Sequence, residues 1–275
     1  MNAPNTDCPL CRRGPLRVLD AHAARCDACD LLVNLDTAPL DYAEGGGQAV
    51  PDAGKMRWRR ENARGRFRLL EPWLAGVEVF VDIGCGSGEM LDVAAARFAR
   101  VVGFDTNRPL IAHIRAAGRA VAIEGHFDAA TLPPEATGKR TLFAASHVIE
   151  HLEQPLALVR QIAAAMKSGD LLYLEVPLFT GASFRKLGYR WSLWNREHLM
   201  LFSPQALAYV ADHSGLATLA QGTRIFARGS HSTKTRLKLL ARRPLDFVRT
   251  AFSKGRHSFA DVMIADYGYL VLRKP

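Results

Sequence analysis

The apolar positions of this chain fall into short continuous runs that alternate with helical stripes. Val79, Phe80 and Val81 form a brief apolar run, which predicts a strand buried on both faces. Met90, Leu91, Val93, Ala94 and Phe98 follow at helix-like intervals, so an amphipathic helix comes next. Arg100 to Phe104 reads as a second strand, and a helix starting at Pro109 follows it. A third strand is expected at Ala120 to Glu124 and a fourth at Thr141 to Ser146. Leu156 to Met166 is the next helix, closed by Lys167, Ser168 and Gly169. Strand five, Leu171 to Val176, is ended by Pro177, and a last strand spans Tyr267 to Leu272. Strands alternating with helices predict an α/β fold with a doubly wound, mostly parallel sheet.

The turn after the first strand carries the chemistry. It reads VDIGCGSGEM, with Gly84, Gly86 and Gly88 alternating between strand and helix. Glycines are needed where the backbone takes positive φ or lets a ligand lie directly on it. A helix N-terminus after such a turn is the usual place for a nucleotide-like ligand. Asp82 lies inside the turn, where a carboxylate attracts a cation and repels a pyrophosphate. The GxGxG spacing also displaces the third small residue of the dinucleotide pattern GxGxxG. Asp105 ends the second strand about twenty residues on, placed to accept the hydroxyls of a bound ribose. Its neighbours Thr106 and Asn107 also read as N-caps of the helix that follows.

Four of the five cysteines stand as Cys8-x-x-Cys11 and Cys26-x-x-Cys29, fourteen residues apart. Two such knuckles at this distance are the sequence form of a tetrahedral four-thiolate Zn2+ ribbon, with the intervening segment free to form a hairpin. Four protein ligands would make that site structural, since no position is open for chemistry. The fifth cysteine, Cys85, sits in the glycine turn as a small packing residue.

DxGxGxG at the end of the first strand resembles motif I of the class I S-adenosylmethionine (AdoMet) methyltransferases, whose sheet is seven-stranded and Rossmann-like. AdoMet carries a sulfonium and an α-ammonium, which suits Asp82. The resemblance implies cofactor contacts from Asp82, Gly84, Cys85, Gly86 and Gly88 at the turn, and from Asp105 and Thr106 after strand two. It places Asp128, after strand three, near the adenine amino group, and Ser146 near the methionine end. HVIEHL, His147 to Leu152, resembles a signature of small-molecule methyltransferases, within which Glu150 and His151 read as bracing the loop. EHLMLFSP, Glu197 to Pro204, resembles a string in sugar and natural-product methyltransferases, many of which also begin with a four-cysteine ribbon. That likeness covers roughly residues 8–37 and 79–220. It makes His198 the preferred catalytic base, with Glu197 orienting it or binding a hydroxyl and His147 in reserve. Asn195 departs from the sugar C-methyltransferases, which have tyrosine three positions before the histidine. O-methylation of a sugar-containing or natural-product acceptor is therefore favoured over C- or N-methylation.

Charge and length complete the expectation. The 275 residues divide into a zinc ribbon at 1–37, a linker at 38–54 and a methyltransferase domain at 55–275. An aromatic acceptor lid is expected at 177–202 and a basic insertion at 228–260. The net charge of +9 is concentrated in Lys55 to Glu71 and Arg228 to His257. These basic runs admit an acidic acceptor, such as a nucleotide- or lipid-linked sugar, or an anionic membrane surface met through 233–259. They also admit RNA, which makes RNA base methylation an alternative, because some ribosomal RNA methyltransferases open with CPLC and a zinc knuckle. A degenerate, non-catalytic interaction module is a further alternative, opposed by the intact Asp82, glycines and Asp105. With no long apolar span and no signal-like start, the protein is expected to be cytoplasmic, with peripheral membrane contact open to it.

Overall fold

The computed structural model describes residues 7–38, 49–224 and 265–275. The linker glycines Gly45, Gly46 and Gly47 and the basic insertion at 228–260, with its expected membrane-facing helices, lie outside the described residues. No helix among the described residues is long and apolar enough to cross a membrane.

Three short strands come first: β1 (Arg17–Val18), β2 (Ala23–Arg25) and β3 (Leu32–Asn34). The expected hairpin between the knuckles is β1–β2. Helix α1 (Ala53–Leu70) then leads into the alternating portion, its N-terminus capped by Asp52, whose carboxylate accepts the Lys55 N–H. That portion comprises β4 (Val79–Ile83), α2 (Glu89–Ala94), β5 (Arg100–Asp105), α3 (Arg108–Ala117), β6 (Val121–Glu124) and β7 (Thr141–Ser146). It continues with α4 (Pro155–Ala165), β8 (Leu171–Pro177), α5 (Ala182–Leu187), β9 (Met200–Leu201), α6 (Pro204–His213), β10 (Ala217–Arg224) and β11 (Tyr267–Arg273).

Seven strands form the main sheet in the order β10-β11-β8-β7-β4-β5-β6. The five from β8 to β6 are parallel, while β11 and β10 are antiparallel additions at one edge. The fold class is as expected, a mostly parallel seven-stranded α/β sheet. Its strand order reverses between β4 and β7, which opens a crevice at their carboxyl ends. Strands β4 and β8 are buried along their whole length, matching their continuous apolar sequence.

The ribbon is fastened to the main body by strand pairing. Its β1-β2-β3 sheet takes a fourth strand, β9, from the segment that follows α5, pairing Leu32 with Leu201 and Val33 with Met200. Phe184, Tyr189, Trp191 and Trp194 pack on one another and on Ala23, Leu32 and Leu201 of this shared sheet. These aromatics were expected to form an acceptor lid. They instead fasten the ribbon to the main body, because β9 pairing brings an apolar ribbon face against them.

The basic run Lys55 to Glu71 is also corrected. Most of it is α1, and its charges are largely matched within the protein. Arg66 meets Glu175, Arg60 meets Asp92, and Arg64 and Arg68 meet Glu61. This helix covers the glycine turn, and four of its seven basic residues are drawn into internal ion pairs while Lys55 and Arg57 remain exposed.

Candidate active site

The crevice at the ends of β4, β5 and β7 is a cavity of about 1080 Å3. Its floor is the glycine turn. Gly84 has φ +70°, and a Cβ there would stand 2.5 Å from Val148 Cγ2. Gly86 has φ +53° and faces open space, so a ligand can approach its backbone directly. The Gly86 N–H donates to Asp105 Oδ2 at 2.7 Å, and the Asn107 N–H donates to Asp105 Oδ1 at 2.8 Å. Asp105 thereby locks the turn to the end of β5, and each oxygen retains acceptor capacity for a ligand hydroxyl. Asn107, not Thr106, caps α3 through the Leu110 N–H.

Asp82 is 4% exposed at the base of the turn. Burial, then the neighbouring Glu89, pushes its carboxyl well above the usual range, so a cationic ligand arriving beside it is favoured. Cys85 packs its buried thiol into the core, and burial pushes that thiol well up, which fits packing and not nucleophilic work. Gly84, Cys85, Gly86, Asp105, Thr106 and Ser146 all line the cavity, whereas Gly88 caps the start of α2 with φ +79°.

Asp128 does not line the cavity. Its carboxylate accepts the Ala130 N–H at 2.9 Å and starts a short 3-10 turn, so it faces solvent. Gly125, His126 and Phe127 line that side instead. β6 ends at Glu124 and the chain turns at once through Gly125, so Asp128 falls beyond the cavity wall.

One wall of the cavity holds a buried polar cluster. His147 has φ +60°, and its ring lies between two carboxylates, Nδ1 at 3.1 Å from Glu150 Oε1 and Nε2 at 3.4 Å from Glu175 Oε1. Burial opposes charge on this ring, but the two carboxylates outweigh it and its pKa is raised. That makes His147 a brace with cationic character and a poor choice of base. His198 is the opposite case. It is 5% exposed, and burial pulls its pKa down to about 4. Its Nδ1 sits 2.7 Å from the Leu193 carbonyl. A carbonyl only accepts, so Nδ1 carries the hydrogen and Nε2 carries the lone pair. The orienting group is therefore Leu193 and not Glu197. Glu197 lines the cavity, and its backbone carbonyl holds His151 Nδ1 at 2.9 Å. Asn195 Oδ1 accepts the Glu197 and His198 N–H groups and sets the loop's curvature.

The ribbon reaches this loop. Asn34 of β3 donates from Nδ2 to the carbonyls of Asn195 at 2.8 Å and His198 at 2.9 Å. Beneath the cluster, Glu175 of β8 is fully buried and bound by Arg66 of α1, Arg224 of β10 and the Tyr173 hydroxyl. Neither Asn34 nor Glu175 stands in a recognisable motif. Trp58, Asn62 and Arg66 also line the cavity. Their four-residue spacing places them on one face of α1, a signal masked by the surrounding charge.

Comparison with known proteins settles the family. Residues 56–221 match the family described as methyltransferase domain. The chain belongs to that family. This methyltransferase is 29% identical over 114 residues to a ubiquinone biosynthesis O-methyltransferase of Xanthomonas oryzae pv. oryzae, covering 40% of this chain and 47% of the relative. It is 31% identical over 106 residues to a trans-aconitate 2-methyltransferase of Methylobacterium nodulans, covering 38% of this chain and 40% of the relative. The chain thus spans less than half the length of these curated relatives. Its fold is shared with an AdoMet-dependent methyltransferase of Archaeoglobus fulgidus at a TM-score of 0.53 and 18% identity, covering 80% of this chain and 98% of the other. The methyltransferase domain implies AdoMet as the methyl donor. The site fits that cofactor: an open glycine cradle, a buried acid for the cationic end and Asp105 for the ribose.

The four cysteines form a second centre. The Sγ atoms of Cys8 and Cys29 are 3.6 Å apart, and those of Cys11 and Cys26 are 3.5 Å apart. All four are buried and free of disulfides. Thiolates around an ion at about 2.3 Å stand about 3.8 Å apart, so the set fits a tetrahedral thiophilic ion.

Proposed function

We propose that this methyltransferase methylates a hydroxyl of a small organic acceptor, in the sugar-containing or natural-product class, with zinc in the cysteine ribbon as a structural ion. His198 carries the reading. It is a buried, neutral imidazole that lines the cavity, with its lone-pair nitrogen fixed by the Leu193 carbonyl. AdoMet supplies an electrophilic methyl on sulfur, which an acceptor oxygen takes in line. Asp82 and the glycine turn hold the cationic end, and Asp105 holds the ribose. His198 accepts the hydroxyl proton as the new C–O bond forms and the methyl–sulfur bond breaks to leave a neutral thioether, and the crevice holds the reactants at near-attack distance.

The match to a relative named for ubiquinone biosynthesis O-methylation supports oxygen as the acceptor atom. Asn195 supports it too, since it braces the loop where the C-methyltransferases place a tyrosine for enolate stabilisation. RNA base methylation is disfavoured by the internal pairing of the α1 charges.

The test is methyl transfer from labelled AdoMet to a panel of phenols, diols and nucleotide sugars. A hydroxyl acceptor should turn over, and His198→Ala should lower kcat by about 100- to 10,000-fold with AdoMet affinity unchanged. Turnover only on RNA, collapsing with salt, refutes the reading. So does a His198→Ala variant as fast as the parent.

A further inference from the structure

The same wall of the cavity holds a ligand set that acid–base chemistry leaves unexplained. Glu150 is fully buried, and its Oε2 has no hydrogen-bond partner among the described residues, while Oε1 faces His147. A buried carboxylate oxygen without a donor is costly to leave unmatched. A carboxylate oxygen of Glu150 and one ring nitrogen each of His151 and His198 all lie within 4.8 Å of one another. The two rings meet edge to face, with centroids 4.6 Å apart.

Both imidazoles are set up alike. His151 Nδ1 faces the Glu197 carbonyl at 2.9 Å and His198 Nδ1 faces the Leu193 carbonyl at 2.7 Å. Each neutral ring must therefore donate from Nδ1 and carry its lone pair on Nε2. Carbonyl-anchored imidazoles are the usual outer support of histidines that ligate metals.

We infer that Glu150, His151 and His198 form a binding site for a divalent first-row transition metal in this wall of the cavity. Two imidazoles and one carboxylate are a donor set for Zn2+, Fe2+ or Co2+, and they disfavour Mg2+ and Ca2+, which prefer oxygen. An ion about 2.1 Å from each atom draws the three together by on the order of an ångström. His151 and His198 line the cavity and Glu150 is buried, so the ion's remaining positions face the acceptor space. Three protein ligands leave coordination positions open, which an acceptor with two neighbouring oxygens, such as a catechol, a vicinal diol or a hydroxy acid, would fill. A hydroxyl held on the ion loses its proton more readily, passing it to solvent water in the crevice, and His198 then serves as a ligand instead of a base. This acceptor choice rests on the hydroxyl-methylation reading, but metal binding itself does not.

The test uses the full chain with its cysteine ribbon loaded with Zn2+, titrated with Co2+ and followed by visible absorption. One further equivalent should bind with the d–d bands of a nitrogen–oxygen site and without thiolate charge-transfer bands. Glu150→Gln and His151→Ala should each weaken Co2+ binding by more than about 100-fold, beyond the loss expected of a mere supporting residue. AdoMet calorimetry on the same samples reports that each variant is folded. No saturable Co2+ uptake by the parent, or full uptake by both variants, overturns the inference. If methyl transfer to a hydroxyl proceeds in protein that holds Zn2+ in the ribbon alone and takes up no Co2+, the proposed function stands without the metal. Co2+ uptake without hydroxyl methylation reverses that outcome and leaves the metal site alone standing.

Discussion

Glu175→Gln offers the sharpest test of how the site is held. The Glu175 carboxylate is fully buried and receives Arg66 Nε at 3.0 Å, the Tyr173 hydroxyl at 2.6 Å and Arg224 Nη1 at 2.5 Å. Arg66 and Arg224 are themselves 4% and 8% exposed, so neither finds water when the carboxylate is neutralised. Glutamine keeps the shape, but its amide hydrogens face guanidinium hydrogens and two buried cations lose their counter-charge. Removing one partner of a buried ion cluster costs about 3–5 kcal/mol. For a chain of this size each kcal/mol lowers Tm by about 2–4 °C, so the midpoint should fall by about 10 °C. Urea denaturation followed by tryptophan fluorescence gives the free energy directly, and m should be unchanged. The pH dependence is a second reading of the same contact. The arginines hold the Glu175 carboxyl well below its usual range, against the opposing effect of burial. Its stabilisation is therefore present above the unfolded carboxylate value of about 4.3 and is lost as pH falls through the folded value. In Glu175→Gln that acid-sensitive portion should vanish. A stability loss under about 1 kcal/mol, the range of an exposed pair, refutes the account.

Three other outcomes follow from the geometry. If zinc holds the ribbon as proposed, chelation should release β9 and the Asn34 clamp, changing Trp191 and Trp194 fluorescence and abolishing acceptor methylation. AdoMet affinity, measured by calorimetry, should survive, because none of the cavity-lining residues belongs to the ribbon. Gly84→Ala should cost about 1–3 kcal/mol in stability from its positive φ, besides the clash with Val148. Gly86→Ala shares the positive-φ cost but has space for its methyl in the cavity, so what sets it apart should be a loss of AdoMet affinity of at least about tenfold. Equal effects at the two positions in both assays contradict this division. Asp105→Ala should weaken AdoMet by more than about tenfold, since a charged hydrogen bond is worth about 1.5–3 kcal/mol. Asp128→Ala should leave AdoMet affinity within about twofold, and the opposite ranking would return Asp128 to the cofactor site.

The alternating strands and helices, the glycine turn and the cysteine knuckles were all legible along the chain. Strand burial has a short period, thiolate geometry needs close spacing, and a phosphate-free glycine turn with an acid declares its ligand locally. Thr141 to Ser146 appears in the structure with the bounds read from sequence, since a continuous apolar run admits little else. Asp128 was misplaced because the turn after β6 carries no periodic signal to anchor an alignment.

What only the tertiary structure decided involves partners far apart in the chain or partners without a side chain. Glu175 joins α1 and β10 across 109 and 49 residues, and Asn34 reaches the His198 carbonyl across 164. The state of His198 is set by the backbone carbonyl of Leu193, and a carbonyl is present at every residue whatever its identity. The aromatic segment looked like a lid because composition reports that a surface is apolar and not what covers it. By itself the sequence determined the fold, the methyltransferase family and the cysteine cluster, all written in local spacing. Tertiary structure decided which histidine is neutral, which carboxylate is left unmatched, and how the ribbon grips the acceptor loop, because those depend on burial and on contacts that form only when distant segments meet.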